Sequence, residues 1–314
     1  MHPKLSCLCL FENPTVEDGR ALIRQFVLVR EADRMGYDEI WIGEQHGDVA
    51  WPTGAITALL GHLAGVTSKA RIGALPLVPA LHAPLRLAED LATLDLLGKG
   101  RLQVGVASGR AFPETLKAHG IAADEAGKWL RSSLAELRRL MASGRVVPRP
   151  VQVPWPMWLA ADDPQSLAVA ASEGLGLIAA ATHTDARIRA MLASHRAAGG
   201  RADPGLVIAR FACPAATREQ AEAIARPYFE DLVARAQARG WGADPHRSMA
   251  GDVEALMACS LVGSHADVAE GVRRLGREFG ATSVAIAPTS AQFDTAKHIL
   301  ADMVDEVRPL LEDE

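Results

Sequence analysis

Three successive residues in the run IWIGEQHG bring together a carboxylate, an amide and an imidazole: Glu44, Gln45 and His46. Such a set can bind a ligand, orient it or exchange protons near neutral pH. The plainer alternative is that Glu44 and His46 bond only to neighbouring backbone. Leu75-Pro76 stands inside IGALPLVPALHAP, and proline within a central strand removes a ladder donor. A strand accepts it as its last residue, at a bulge or with a cis bond. Gly105 to Arg110 form a small-residue turn. Backbone amides in such a turn suit an anion, and Arg110 can pair with one or simply face solvent. Asp162-Asp163-Pro164-Gln165-Ser166 reads as a helix start, where free amides suit a phosphate. Aspartate before proline is also ordinary capping, and two carboxylates would repel a phosphate. His82 and His183 fall in loops, where isolated histidines are more often structural. The sequence has no HExxH, CxxC, GxSxG or Walker loop, so no metal site is expected.

Positioning those groups requires a scaffold, and the apolar periodicity supplies one. Short apolar runs at 5–10, 38–42, 71–78, 101–106, 157–161, 176–181, 206–213 and 283–287 read as strands. Between them, 17–35, 52–66, 84–97, 164–173, 185–198, 218–239, 266–279 and 294–311 read as helices, with one or two more in 113–143. Four prolines in 146–156 mark an extended connector, and 240–261 reads as an irregular insertion. Eight strand–helix units predict the α/β class: a (β/α)8 TIM barrel with loop insertions, as one domain over 1–314. The strands are continuously apolar, as expected when both faces are buried. An open doubly wound sheet would carry a glycine-rich fingerprint after its first strand, and FENPTVEDG is not one. In a barrel the active site lies at the C-terminal strand ends. That rule selects 11–13, 44–46, 76–82, 107–110, 162–166, 183 and 288–290.

With 314 residues, 49% hydrophobic and 23% charged, the composition is globular and excludes wholesale disorder. A net charge of -5 argues against nucleic acid or anionic membrane as a partner. No stretch reaches the roughly 20 apolar residues of a membrane span, and the N-terminus lacks a signal-peptide pattern. Cys7, Cys9, Cys213 and Cys259 form no disulfide framework. Reduced thiols in a cytoplasmic protein are the expectation.

The segments ADRMGYDEIWIGEQH, RIGALPLVPALHAPLRLAEDLATLDLLGKGRLQVGVASG, PMWLAADDPQSLAVAASEGLG and SLVGSHADVAEGVRRL together resemble the bacterial luciferase-like flavin-dependent monooxygenases. The resemblance spans nearly the whole chain. It implies a (β/α)8 barrel, reduced FMN as co-substrate supplied by a separate reductase, molecular oxygen and a homodimer. Glu44 then matches the motif carboxylate, Gln45 the histidine regarded as catalytic in luciferase, and His46 the second histidine. An amide exchanges no proton at neutral pH, so proton handling passes to His46 or is not required. Leu75-Pro76 falls where the family has a cis peptide beside the flavin ring, and a cis bond is expected. Ala107 and Ser108 replace the family's Cys-Arg, leaving Arg110 to compensate as the phosphate partner. Asp162 and Asp163 stand where the family presents amides and a hydroxyl to the phosphate, and Ser166 retains a hydroxyl. Flavin binding is therefore expected to be weak for the family and salt-dependent. The implied activity is oxidation of a small organic substrate of the aldehyde or ketone class. The alternatives are hydride transfer with a deazaflavin, and a non-catalytic flavin-binding partner subunit. The dimer is expected through 55–66 and 84–97, helices with apolar residues on more than one face.

Overall fold

The computed structural model describes residues 2–15, 17–161, 163–238 and 252–312. In chain order the elements are β1 (Lys4–Cys9), α1 (Asp18–Met35), β2 (Glu39–Ile42), α2 (Ile56–Val66), β3 (Arg71–Leu77), α3 (Pro84–Leu97) and β4 (Leu102–Val106). Then come α4 (Pro113–Ala118), α5 (Ala126–Ala142), β5 (Met157–Ala160), α6 (Pro164–Glu173), β6 (Gly176–Ala179) and α7 (Asp185–Ala197). The chain continues with β7 (Leu206–Ala215), α8 (Arg218–Ala238), α9 (Val253–Cys259), β8 (Leu261–Ser264), α10 (His265–Phe279), β9 (Ala281–Pro288), α11 (Phe293–Asp302) and α12 (Arg308–Glu312). Left-handed glycines Gly36, Gly174 and Gly280 close α1, α6 and α10, a backbone state that glycine enters without a Cβ penalty.

β1 to β7 pair in sequence order, and β9 closes the ring between β7 and β1, with every pairing parallel. This is the expected closed (β/α)8 barrel. β8 lies outside the ring. β6 pairs with β7 only at residues 206–208, whereas β8 pairs with residues 212–215. Ala212 also pairs with Pro288 of β9, so β8 takes the edge of β7 that β6 has left.

The stretch 240–261 is not irregular where it is described. Asp252 caps α9 by accepting the Ala255 N–H at 2.7 Å, and β8 begins at Leu261. Both elements are too short to leave a periodic trace. Residues 239–251 lie outside the described residues. The segment 113–143 divides into α4 and α5, with Gly120 at φ +72° between them. The segment 52–66 becomes helical only at Ile56. The last helix is α11 and α12 joined by a π turn, Met303–Val307.

The barrel interior is filled toward the N-terminal strand ends. Trp41 and Trp158 meet edge to face, with centroids 5.7 Å apart. Glycines make room for them. A Cβ on Gly73 would stand 2.6 Å from the Trp41 ring, and one on Gly176 would stand 2.2 Å from Trp158 Cδ1. Beneath them the buried Glu39 Oε2 accepts bonds from Ser6 Oγ at 2.8 Å, Ser283 Oγ at 2.9 Å and Trp41 Nε1 at 3.2 Å. Outside the ring, Asp33 of α1 accepts the amide N–H groups of Ser68, Lys69 and Ala70, which fixes the start of β3. Burial pushes the Asp33 carboxyl up, but these amides outweigh burial and hold it below the usual carboxylate value. The Leu75–Pro76 bond is cis, as expected, and the β3–β4 register shifts between Ala74 and Leu77. All four cysteines are free and buried. Among the described residues no helix is long and apolar enough to cross a membrane.

Candidate active site

A cleft of about 390 Å³ opens at the C-terminal strand ends, within the size range of small-molecule sites. The segment after β2 supplies Glu44, Gln45 and His46, and β3 supplies Leu75 and Pro76. The turn after β4 supplies Ala107, Ser108 and Arg110, and Asp163 precedes α6. The strand-end rule thus brings nine of the proposed residues to one wall. Asp162 lies outside the described residues. Ser166 is buried at 1% exposure and is not part of this wall.

Glu44 is the buried member of the strand-two triplet. Its Oε1 lies 2.7 Å from His46 Nε2 and 3.4 Å from His82 Nε2, and its Oε2 accepts the Val78 N–H at 2.6 Å. Its own N–H donates to the Pro76 carbonyl at 2.9 Å, tying the strand-two triplet to the cis proline. Burial pushes the carboxyl up. The bonds from His46 and the Val78 amide, together with the nearby His82 imidazole, outweigh that and hold it below the ordinary glutamate value. An ionised Glu44 fixes the His46 tautomer with its proton on Nε2. Nδ1 is then the nitrogen left to exchange a proton. His46 also meets Phe112 edge to face at 5.8 Å, which fixes the plane of the ring. His82 was visible in the sequence as a strand-end histidine. Its meeting with Glu44 depends on β2–β3 register and had no local signal.

In the same lining, Arg110 borders both the cleft and an adjoining open groove lined by Pro113, Asp124, Asp163 and Gln165. Its Nε is buried with no hydrogen-bond partner among the described residues. Gly109, at φ +78°, packs so closely that a Cβ would stand 2.5 Å from Val78 Cγ1. Only glycine lets the turn present Arg110 here. Asp163 is turned back as a cap: its Oδ1 accepts the Ser166 N–H at 2.9 Å. It therefore occupies one of the amides that a phosphate would use. A cation with an unsatisfied donor beside an apolar, ring-sized cleft fits a phosphate-bearing flavin. The carboxylates Asp124 and Asp163 in the groove weaken that fit.

The third wall had no motif. Trp51, Phe211, Tyr228 and Leu232 give the cleft an apolar side. Tyr228 and Leu232 come from α8, whose buried face joins the interior cluster of Leu8, Trp41 and Ala209. α8 thus packs over the barrel mouth, and Pro227 interrupts its hydrogen-bond ladder there. Tyr228 Oη donates to Glu12 Oε1 at 3.3 Å, and Arg235 Nη2 lies 3.5 Å from the same oxygen. Burial drives the Glu12 carboxyl up to about 7, against the pull of Arg235 and Tyr228. Arg235 also rests over the Trp51 ring at 5.1 Å. Glu12 fell in the strand-one end segment, but nothing in the sequence marked α8 as its partner.

Comparison with known proteins bears on this arrangement. The family model described as luciferase-like monooxygenase matches residues 4–283. The protein YvbT of Bacillus subtilis is 29% identical over 239 residues, 70% of each chain. The oxygenase component of the flavin-dependent trigonelline monooxygenase of Acinetobacter baylyi is 30% identical over 162 residues. That match covers 47% of this chain and 45% of the relative, so the chain spans under half of its length. Among solved structures, monooxygenase RslO1 from Streptomyces bottropensis superposes with TM-score 0.82 at 21% identity, covering 98% and 99% of the two chains. The oxygenating constituent of 3,6-diketocamphane monooxygenase from Pseudomonas putida, in complex with FMN, gives TM-score 0.79 at 17% identity over 98% of each chain. An F420-dependent secondary alcohol dehydrogenase gives 0.75 at 16% identity over 100% of each. The family match, which runs from β1 into β9, makes this chain a member of the luciferase-like monooxygenases and an oxidoreductase.

Proposed function

We propose that this chain is an FMN-dependent oxygenase component that uses molecular oxygen to oxidise a small organic substrate, of the aldehyde or ketone class. The observation that carries this reading is a cleft whose lining includes both a tautomer-fixed His46 and Arg110, whose Nε has no hydrogen-bond partner among the described residues. Arg110, Ser108 and the turn amides would hold the flavin phosphate, and Leu75, Pro76 and Ala107 would flank the ring. When bound and reduced, the flavin supplies the two electrons that activate oxygen. His46, oriented by Glu44, takes or gives the proton through Nδ1. Gln45 contributes a neutral donor and acceptor but no proton exchange. Trp51, Phe211, Tyr228 and Leu232 keep water from the reacting atoms. A separate flavin reductase would supply the reduced cofactor, a reading supported by the similarity to a relative named as an oxygenase component.

We further propose a homodimer formed through α2 and α3. Leu85, Leu96 and Leu97 of α3 are 40%, 41% and 55% exposed, and exposed Ala58 of α2 permits close approach, whereas the expected Gly61 is half-buried and faces Leu94 of α3. Four buried free thiols suit a reducing, cytoplasmic setting.

One experiment tests the function. The purified protein is titrated with FMN and with deazaflavin, and oxygen uptake is followed with reduced FMN and an aldehyde and ketone panel. FMN binding with substrate-dependent oxygen uptake supports the reading. Deazaflavin binding with alcohol-dependent reduction, and no oxygen uptake, would transfer the chain to hydride chemistry. FMN binding without turnover on any substrate would make it a partner subunit, the role to which Gln45 points.

A further inference from the structure

We propose that Glu44 is a two-sided proton shuttle between the cleft and the outer surface, with His46 as its inner station and His82 as its outer one. Two imidazole nitrogens converge on one carboxylate oxygen, Glu44 Oε1, at 2.7 Å from His46 and 3.4 Å from His82. The Glu44 side chain is 0% exposed, whereas the two histidine side chains are 20% and 21% exposed. His46 lines the cleft, and His82 does not. The exposed part of His82 therefore opens outside the cleft, on the turn that leads into α3. His82 Nε2 is itself buried and makes no aligned hydrogen bond. A nitrogen so placed, beside a carboxylate whose other oxygen is held by the Val78 N–H, is poised to exchange a proton with it.

The arrangement works as one proton held between two nitrogens. In the geometry seen, that proton is on His46 Nε2 and bonded to Glu44. When His46 Nδ1 receives a proton from the cleft, Nε2–H passes its proton to Oε1. Oε1 hands it to His82 Nε2, and His82 releases its Nδ1 proton to water. His46 then carries its proton on Nδ1, and His82 donates to Glu44. Delivery into the cleft is the reverse: Nδ1–H of His46 leaves, and His82 refills Nε2 through Oε1 while taking a proton from water. Each passage returns every group to its original charge and exchanges one arrangement for the other. This goes beyond the proposed oxygenase function and rests on it only for what the proton is used for.

The test separates the shuttle from that function. Ring-nitrogen NMR of the flavin-free protein follows His46 and His82 against pH, with no variant of His82 required. Their curves should be biphasic and share both midpoints, because each titration alters the charge beside the other. In His82→Gln, His46 should return to a single step. In the loaded enzyme, kcat of His82→Gln should fall roughly 10²-fold with KM unchanged, and added imidazole should restore much of the turnover in His82→Gly. Independent single-step curves in the native protein, or imidazole failing to act on a folded His82→Gly, would overturn the shuttle. Shared curves with no oxygen uptake on reduced FMN would keep the shuttle and reject the oxygenase reading.

Discussion

Replacing His46 with asparagine keeps a polar side chain of similar reach but removes proton exchange near neutral pH. Turnover should fall ~10²–10⁴-fold, the usual loss for a positioned acid or base, while FMN affinity changes little. Full turnover in His46→Asn would make His46 structural. In the lining that Arg110 shares, Asp163→Ser preserves a capping oxygen and removes a negative charge. FMN should bind more tightly, most clearly at low salt, with the melting temperature nearly unchanged. An unaltered dissociation constant in a fluorescence titration would place the phosphate away from α6. At this scale the sequence was informative where chemistry is local. The Glu44, Gln45 and His46 triplet, the Leu75-Pro76 pair and Arg110 all stand in one wall because strand ends converge. It was silent on His82 meeting Glu44, Tyr228 meeting Glu12 and Ser166 lying behind the wall. Those contacts depend on strand register and helix direction, which no short motif encodes.

At the scale of elements, strands β2 to β5 depend on pairing large side chains with absent ones. Gly105→Ala would press a Cβ against the Ala74 carbonyl and Ile178. Backbone on one side prevents relaxation, so the expected loss is about 1–3 kcal/mol, read as a lower urea midpoint. α8 gives a pH signature. The Glu12 carboxyl rises from 4.5 to about 7 in the folded state. The folded chain therefore binds more protons than the unfolded chain across that window. Stability is fully present below it and declines as pH rises toward about 7. Glu12→Gln should flatten that decline in urea unfolding at stepped pH values; an identical slope would assign it to other groups. Strand positions were legible from continuous apolar runs. α9 and β8, of seven and four residues, were not, because a period needs more residues than either contains.

At the scale of the molecule, the exposed leucines of α3 beside the small-residue face of α2 predict a dimer in sedimentation at micromolar protein. A single monomer species would leave those leucines unexplained. The closed topology was readable from eight alternations and from the missing fingerprint after β1. What could not be read is that α8 leaves the outer ring to cross the mouth. Its apolar positions look the same whether they pack on the side of a barrel or over its opening.

The Trp41–Trp158 stack and the Glu39 cluster beneath it have a consequence for traffic. They fill the N-terminal end of the barrel, so the cleft's doorway lies at the C-terminal strand ends, on the side where α8 packs. Whatever enters first must share that doorway with whatever leaves last. A spent ligand and a fresh one then queue for the same passage, which makes the order of arrivals and departures part of the fold.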